Sequence, residues 1–322
     1  MLYNPKYNEE GKKYLCRMNG ENSEMLMDIY VKKLAEGEIL TVDEDKNECA
    51  ILLLRGAVNF TVGDSINEDC ERANPFQKTP YAVHFSHSTK AVVTAKKESE
   101  VIVQMTDNDR TWAPVFYNPD NCLYQEFGKG QWNGTGHRIV STMFDLDNAP
   151  YSNMVMGEVF NQPGRWSSYP PHHHPQPEVY YYQFDHEEGF GAGFEGDTPY
   201  KTQNGSCLCI RGGNAHQQVT APGFEMYYVW MIRHLDGDPW DKQEFMFRNM
   251  SGSQMQTKGK VLESYRQIKD VFEQNNVKKP FVCCGKSFQK TEIFEYLKQF
   301  NIVVFDCIRP NPRFEDMIDA AK

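Results

Sequence analysis

Residues 165–184, RWSSYPPHHHPQPEVYYYQF, combine three consecutive histidines, a glutamate and a run of aromatic residues. The segment that begins at Glu178 is rich in aromatic and β-branched residues, which predicts a strand. On an extended backbone His172 and His174 point to one face and His173 to the other, because side chains alternate along a strand. Two imidazoles and a carboxylate on one wall therefore predict a metal site that takes a fourth ligand from another strand.

That fourth ligand is available in residues 205–219, GSCLCIRGGNAHQQV. Alternation around Cys207 and Cys209 predicts a strand, a Gly-Gly turn follows it, and His216 comes next. The combination of HxHxxxE, a glycine-opened strand, a turn and one more histidine resembles the two sequence motifs of the cupin barrel. Three adjacent histidines alone are more often an exposed polar loop, so the prediction depends on Glu178 and His216.

Composition and charge exclude several classes of function. A length of 322 residues suggests two or three domains, and a net charge of −10 with a pI near 5.4 argues against nucleic-acid binding. We expect neither a signal peptide nor a membrane span, since no apolar run approaches the roughly 18 residues required. The nine cysteines form no CxxC pair, which favours reduced, buried thiols in a cytoplasmic protein.

The pattern along the chain predicts a mainly β protein built from duplicated cupin (jelly-roll) barrels, followed by a short α/β fragment. Residues 1–120 show short strands without a helical period, and they contain no HxHxxxE motif, so this half is expected to be metal-free. Residues 121–248 repeat that texture and carry the predicted site. Residues 249–257 are a polar linker. Residues 258–322 alternate helix and strand, with a third helix at 314–322, as in a partial Rossmann-like unit.

Several segments resemble the family of 5-deoxy-glucuronate isomerases, enzymes of inositol catabolism related to 4-deoxy-threo-hexulosonate-uronate isomerases. The resemblance lies in PGRWSSYPPHHH (163–174), EVYYYQF (178–184), GFG (189–191) and APGFEMYY (221–228), and more weakly in ERANPFQKTPYAVHF (71–85). It implies a bicupin that isomerises a deoxyuronate from aldose to ketose, most closely 5-deoxy-glucuronate to 5-dehydro-2-deoxy-gluconate. It also implies a divalent cation, for which zinc, manganese and iron all suit the ligands His172, His174, Glu178 and His216.

The C-terminal segment resembles a different family. FVCCGKSF (281–288) and VVFDCIRPNP (303–312) are similar to the first βαβ unit of iron-containing alcohol dehydrogenases. The glycine-rich turn and the iron ligands of that family would follow later and are missing from this sequence. We therefore interpret residues 258–322 as a fusion remnant, a truncated product or a docking module.

The acid/base group of an isomerase is expected on the strands that carry the site. Tyr180 and Tyr182 share a predicted face with Glu178, while Glu225 and Tyr227 share a face of a later strand. We favour Tyr182 and Glu225 for proton transfer and place Tyr180 among the substrate-binding residues. Aromatic residues inside a small barrel are more often part of the core, which is the alternative for both tyrosines.

A sugar acid also needs a cation for its carboxylate, and arginine binds a carboxylate through two parallel hydrogen bonds. The candidates are Arg138, Arg165 and Arg211, for each of which a solvated surface position is the alternative. The expected partner is thus a small sugar acid, with neither nucleic acid nor membrane. Sheet edges of bicupins often pair between subunits, which makes a homo-oligomer possible. Two other hypotheses stay open, a cupin dioxygenase or other uronate isomerase and a non-catalytic sugar-binding cupin.

Overall fold

The structure is a computed structural model that describes residues 1–241, 244–245, 264–274, 277–284 and 286–305. The chain divides into two compact units, Met1–Met255 and Gln256–Lys322. The linker predicted at 249–257 and the helix predicted at 314–322 lie outside the described residues.

The first half of the first unit consists of short strands around one long one. The strands are β1 (Leu2–Tyr3), β2 (Lys12–Cys16), β3 (Asp28–Leu34), β4 (Ile39–Val42), β5 (Asn47–Val62), β6 (Ile66–Arg72), β7 (Ala82–Phe85), β8 (Ala91–Ala95), β9 (Ser99–Asp107) and β10 (Val115–Tyr117). Strands β2 to β10 form one nine-stranded sheet. The beginning of β5 pairs with β7 and β9, and its end pairs with β6 and β8, so a single strand serves both layers of this barrel.

Gly56 makes this change of layer possible. The pairing of β5 with β9 shifts register next to it, between Leu53 and Arg55, and Gly56 itself has a φ of 102°. A Cβ atom at this position would lie 2.2 Å from Ser99 Oγ and 2.5 Å from the Glu98 carbonyl oxygen. Only glycine allows the two strands to approach this closely.

The second half of the first unit contains two facing sheets. Its strands are β11 (Leu123–Phe127), β12 (Arg138–Phe144), β13 (Met154–Asn161), β14 (Trp166–Ser167), β15 (His172–His173), β16 (Glu178–Phe184), β17 (Phe190–Glu195), β18 (Thr198–Gln203), β19 (Cys207–Ile210), β20 (Gln218–Thr220), β21 (Met226–Arg233) and β22 (Glu244–Phe245). The larger sheet has the order β1-β19-β16-β21-β13-β12-β11 and the smaller one the order β14-β20-β17-β18, while β15 pairs with β22. Strand β1 pairs with residues 207–208, so the beginning of the chain completes a sheet of the second half.

Alternation along β16 separates two cores. Val179 and Tyr181 pack into the cluster between the two halves, whereas Tyr180, Tyr182 and Phe184 pack into the interior of the second barrel. The sequence predicted this division of the tyrosine run between two faces. A third core fills the first barrel, with residues such as Ile51, Leu53, Phe60 and Val103.

A buried ion pair joins the two halves. Arg72 at the end of β6 and Glu158 in β13 are both 0% exposed, and Arg72 Nη1 and Nη2 lie 2.6 and 3.3 Å from the two carboxylate oxygens of Glu158. The guanidinium also donates to the carbonyl oxygens of Leu53 and Pro75, at 3.0 and 2.9 Å. The hydroxyl of Tyr227 donates to the same carboxylate. These bonds pair the two buried charges, although the Nε atom of Arg72 has no hydrogen-bond partner among the described residues.

The second unit, in its described part, is α/β. It contains α1 (Ile268–Gln274), β23 (Phe281–Cys283), α2 (Glu292–Leu297) and β24 (Val303–Phe305). The two strands pair in parallel, with Phe281 opposite Val303. The side chain of Thr291 accepts a hydrogen bond from the Phe294 amide and so caps α2.

Short 3-10 turns occur at Ser23–Met25, Pro75–Gln77, Trp132–Gly134, Tyr265–Gln267, Phe288–Lys290 and Lys298–Phe300. The prediction of a mainly β chain followed by an α/β fragment is confirmed. Within the described ranges, no helix has both the length and the apolar character needed to cross a membrane. The cysteines at 16, 49, 70, 122, 207, 209 and 284 are free thiols.

Candidate metal centre

Three of the four predicted ligands converge inside the second barrel. The Nε2 atoms of His174 and His216 lie 3.3 and 3.2 Å from Glu178 Oε2. The ligand atoms of these three residues all lie within 4.8 Å of one another, and all three side chains are buried. Glu178 is fixed at the first position of β16, where it pairs with Ile210 on one side and Ile232 on the other.

A glycine turn brings His216 to this group. The Gly213 amide donates to the His174 carbonyl oxygen at 2.7 Å, which ties the turn to the histidine segment. A Cβ atom at Gly212 would lie 1.8 Å from the Pro175 carbonyl oxygen. The close approach of the two segments therefore requires glycine at position 212.

The orientation of each imidazole is set by the backbone. His172 Nδ1 lies 3.0 Å from the Pro170 carbonyl oxygen, His174 Nδ1 lies 3.0 Å from that of Gln176, and His216 Nδ1 lies 2.9 Å from that of Asn214. A carbonyl oxygen only accepts, so each Nδ1 carries the hydrogen and each Nε2 presents its lone pair. Metal-binding histidines typically have this arrangement.

His172 lies beside the three-residue group without being part of it. Its ring centroid is 4.7 Å from that of His216, and the two rings meet edge to face at 82°. Burial, and next the neighbouring His216, lower the pKa of His172 well below its usual value. Burial likewise lowers the pKa of His216. Both rings are thus held neutral, the form that binds a metal.

The residues present fit a divalent cation. The Nε2 atom of His216 is buried, and it lacks a hydrogen-bond partner of good geometry among the described residues although Glu178 lies nearby. A buried nitrogen lone pair that faces a carboxylate and a second imidazole is costly unless a cation satisfies it. Imidazole nitrogens with one carboxylate suit zinc, manganese or iron.

A polar wall of hydroxyl groups continues from this group along the barrel interior. The Tyr180 ring lies 6.1 Å from that of His216, and its hydroxyl lies 3.1 Å from Ser168 Oγ. The Tyr228 hydroxyl donates to Ser167 Oγ at 2.8 Å. Burial raises the pKa of Tyr228 to about 12, against the opposing effect of its hydrogen bonds with Ser167 and Ser168 and of nearby Arg138.

Tyr182 lies deeper on the same face. It is 0% exposed, and its hydroxyl donates to Gln218 Oε1 at 2.6 Å. Burial raises its pKa well above the usual value. The phenol is therefore neutral and held in one orientation.

Arg138 is the predicted arginine on the face of β12 toward the second barrel. Its Nη1 donates to the Gly136 carbonyl oxygen at 3.2 Å, and its guanidinium lies 5.0 Å from the centre of the Phe127 ring. It shares the inner face of β12 with Val140, which packs against the second-barrel core. Burial lowers its pKa to about 10, while Tyr228 acts in the opposite direction. Arg138 is also one of the charges that lower the pKa of His172, so its guanidinium lies within electrostatic range of the histidine group.

A small cavity of about 10 Å³, room for about one water molecule, opens beside Arg138. Its lining combines basic, polar and apolar side chains: Phe76, Lys78, His137, Arg138, Ile139, Phe160, Asn161, Gln162, Glu225 and Met226. Among its walls, Lys78 and Arg138 provide positive charge. Glu225 on the same lining carries the opposite charge, and Phe76, Ile139 and Phe160 belong to or pack against the cluster between the two halves.

The other two predicted arginines are engaged elsewhere. The side chain of Arg211 is 64% exposed, and its Nε lies 3.0 Å from Glu195 Oε1. Arg165 Nη1 donates to the Gly134 carbonyl oxygen. The structure thus does not bring either of them to the histidine group.

Glu225 is also remote from the histidine group. It immediately precedes Met226, which pairs with Phe184, and its amide donates to Asp185 Oδ1 at 2.9 Å. Phe184 and Glu178 lie six residues apart at opposite ends of β16, which corresponds to roughly 20 Å at the usual rise of a strand. Glu225 lines the cavity beside Arg138 but does not reach the predicted metal ligands.

Sequence reasoning missed the polar residues that face the tyrosines, namely Asn161, Ser167, Ser168 and Tyr228. The two serines lie within the segment PGRWSSYPPHHH (163–174), directly before the histidines. Their polarity within an aromatic and proline-rich segment was the available signal.

Comparison with known proteins identifies the family. The model of the KduI/IolB family matches residues 1–250. 5-Deoxy-glucuronate isomerase of Bacillus licheniformis is 26% identical over 252 residues, which cover 71% of this chain and 90% of that protein. 5-Deoxy-glucuronate isomerase of Lacticaseibacillus casei is 28% identical over 200 residues, which cover 56% of this chain and 72% of that protein.

Solved structures show the same fold. An IolB-like protein from Salmonella typhimurium aligns with a TM-score of 0.69 at 21% identity, covering 78% of this chain and 97% of that protein. Oxalate decarboxylase from Lactobacillus farciminis aligns with a TM-score of 0.56 at 10% identity, covering 84% and 93%. These likenesses confirm the cupin-type fold predicted from the sequence. Because the family model covers residues 1–250 of 322, the chain belongs to the KduI/IolB family.

Proposed function

We propose that this chain is a metal-dependent aldose–ketose isomerase of a deoxyuronate, converting 5-deoxy-glucuronate to 5-dehydro-2-deoxy-gluconate. The observation that carries the proposal is the buried convergence of His174, Glu178 and His216, with each imidazole oriented by a backbone carbonyl. The choice of substrate is supported by the relatives from Bacillus licheniformis and Lacticaseibacillus casei, which bear the name 5-deoxy-glucuronate isomerase.

We assign the metal to His172, His174, Glu178 and His216, with zinc, manganese and iron all compatible with these donors. When bound, such an ion supplies a Lewis acid that stabilises negative charge on the oxygen atoms at C1 and C2 of the sugar. The proposed substrate differs from the product only in the position of hydrogen atoms. One proton moves from C2 to C1 and another from the C2 hydroxyl to the C1 oxygen.

Arg138 is the proposed anchor for the carboxylate of the sugar acid. Its guanidinium borders the small cavity and lies within electrostatic range of His172. A carboxylate held there would leave the other end of the sugar toward the histidine group. A planar guanidinium binds a carboxylate with two parallel hydrogen bonds and thereby orients it.

The inner-face tyrosines are proposed to act in two ways, Tyr182 in proton transfer and Tyr180 in substrate binding. Tyr182 keeps this role because its neutral hydroxyl is fixed by Gln218 on the face that also carries Glu178. Tyr180 is proposed to contact the sugar, since its ring lies beside His216. Glu225 shares the face of Tyr227, which points toward the first half, so the same role is not proposed for it.

The experiment follows the conversion of 5-deoxy-glucuronate by NMR with purified protein, a His216→Ala variant and a matched His87→Ala control. His87 is a partly exposed histidine of the first half, bonded only to Ser88 among the described contacts. We expect turnover by the wild type, a loss of about 100-fold or more in the His216 variant, and a change of less than about twofold in the control. Wild-type protein that binds the sugar without producing an isomer would instead indicate a non-catalytic sugar-binding cupin, and equal turnover by all three proteins would reject the site.

A further inference from the structure

A pair of buried polar side chains, Asn161 and Ser167, lies on the wall of the second barrel beside Arg138. We call it the Asn–Ser pair. Neither residue is among the predicted metal ligands. Asn161 ends β13 and lies directly opposite Arg138 of β12, and Ser167 belongs to β14 of the facing sheet. The pair therefore bridges the two sheets across the barrel interior.

Within the described residues, only one of the two polar atoms of the Asn161 amide has a hydrogen-bond partner. It is 2% exposed, and its Nδ2 donates to Ser167 Oγ at 2.8 Å. Its Oδ1 atom is buried and has no hydrogen-bond partner among the described residues. A buried amide oxygen without a donor is unfavourable, so its retention at this position calls for a ligand or a water molecule.

Ser167 differs from Asn161 because its acceptor sites, rather than its donor, are the ones in use. It is 0% exposed, and its Oγ accepts hydrogen bonds from both Asn161 and Tyr228. A serine hydroxyl has two acceptor sites and one hydrogen. With both acceptor sites filled, Ser167 retains its hydrogen for donation.

The Asn–Ser pair thus offers one acceptor and one donor to the barrel interior. A sugar hydroxyl group both donates and accepts, so it satisfies the two atoms together. A carboxylate only accepts and would leave Asn161 Oδ1 unsatisfied, and an apolar group would satisfy neither. The pair is therefore matched to a hydroxyl.

The position of the pair agrees with a sugar that extends from Arg138 toward the histidines. Asn161 lines the same cavity as Arg138. Ser168, which directly follows Ser167, has a φ of 47°, an uncommon value for a residue other than glycine. Its hydroxyl lies 3.1 Å from that of Tyr180. Tyr180 in turn lies beside His216. Arg138 and Asn161 therefore lie side by side, and the contacts of Ser167, Ser168 and Tyr180 connect them with His216.

We propose that Asn161 and Ser167 bind one hydroxyl group of the sugar acid, between the carboxylate and the carbon atoms that react. The identity of the ligand rests on the proposed isomerase function. A site built to bond a hydroxyl rejects an analogue that lacks it, because the buried polar atoms then remain unpaired. The pair is thus a specificity determinant among sugar acids. A buried water molecule would satisfy the same atoms in a purely structural role.

The test compares the KM for 5-deoxy-glucuronate in the metal-loaded wild type, Asn161→Leu, Ser167→Ala and the control Thr202→Val. Thr202 is 0% exposed, and its Oγ1 also lacks a partner among the described residues. It belongs to β18, three strands from β14 in the same sheet, or about 14 Å at the usual strand spacing. We expect KM to rise about tenfold or more in the first two variants, with metal content retained, and to change less than about twofold in the control.

KM values for Asn161→Leu and Ser167→Ala that match the control would overturn the proposal. This holds even if both variants melt at a lower temperature, because lower stability with an unchanged KM indicates a structural water molecule. If the wild type shows no turnover, the isomerase proposal fails, and calorimetric binding of 5-deoxy-glucuronate replaces KM as the readout. Weakened binding confined to the two pair variants then supports the pair. Equal binding by all four proteins, or binding by none, refutes it.

Discussion

Replacing Arg72 by methionine is expected to destabilise the first unit strongly. The variant leaves Glu158, which is 0% exposed, without its cationic partner. Removal of one member of a buried ion pair costs about 3 to 5 kcal/mol, because the remaining charge is uncompensated. A loss of 1 kcal/mol lowers the melting temperature by about 2 to 4 °C in a domain of this size, so we expect a decrease of about 6 to 20 °C.

Thermal unfolding followed by circular dichroism measures this effect. The control is Lys97→Met, which breaks an ion pair of 2.5 Å with Glu71 whose two side chains are 60% and 64% exposed. Exposed pairs contribute about 0 to 1 kcal/mol, so the control should change the melting temperature by less than about 4 °C.

A second variant separates charge from packing. Arg72→Met combined with Glu158→Leu removes both charges and should recover part of the lost stability, because no uncompensated charge remains. A melting temperature for Arg72→Met within about 2 °C of the wild type would refute the reasoning. A double variant less stable than the single one would refute the role assigned to the buried charge.

Three further predictions concern the site and its surroundings. Burial lowers the pKa of His234 to about 4. Below about pH 6.5 the unfolded state therefore binds a proton that the folded state does not, so the free energy of unfolding falls as the pH drops toward 4. His234→Gln should reduce this loss by about 2 to 3 kcal/mol at pH 4.5, and an unchanged dependence of melting temperature on pH would contradict the assignment. Arg138→Lys should raise KM for 5-deoxy-glucuronate about tenfold, whereas Arg211→Lys should change it less than about twofold, and equal values would reject the carboxylate anchor. Gly212→Ala places a Cβ atom 1.8 Å from the Pro175 carbonyl oxygen, so it should reduce metal content at least about tenfold, and full metal content would show that the turn can adjust.

The part of the site that follows from local sequence was predictable. His174 and Glu178 lie four residues apart, and the Gly-Gly turn before His216 marks the place where a distant segment can approach. Alternation along β16 correctly divided its tyrosines between two faces. Spacing in a single sequence is sufficient for these features because they depend on backbone period and turn chemistry.

The inward face of β21 was not predictable in the same way. Alternation places Glu225 with Tyr227 and separates them from Tyr228, but it does not say which set faces the barrel. In the structure Tyr228 faces the second-barrel core, whereas Tyr227 faces the other half and bonds Glu158. Because both faces of this sheet are buried, hydrophobicity gives no sign of the correct choice.

The other features that the sequence did not predict depend on packing between segments that are distant in the chain. No local pattern shows which of Arg138, Arg165 and Arg211 faces the second barrel, and only the fold turns Arg138 toward it. The pairing of β1 with residues 207–208 joins segments about two hundred residues apart, which no local pattern encodes. Assembly into a homo-oligomer, the domain boundaries and the likeness of the C-terminal segment to iron-containing alcohol dehydrogenases stay predictions.

The central claim is that a metal ion at His174, Glu178 and His216, with His172 beside them, supports the isomerisation. The most direct measurement is the metal content of the purified protein, determined by mass spectrometry together with turnover of 5-deoxy-glucuronate before and after chelation. We expect about one divalent ion per chain, loss of turnover on chelation, and recovery when zinc, manganese or iron is returned. Full turnover by protein that holds no metal would contradict the account.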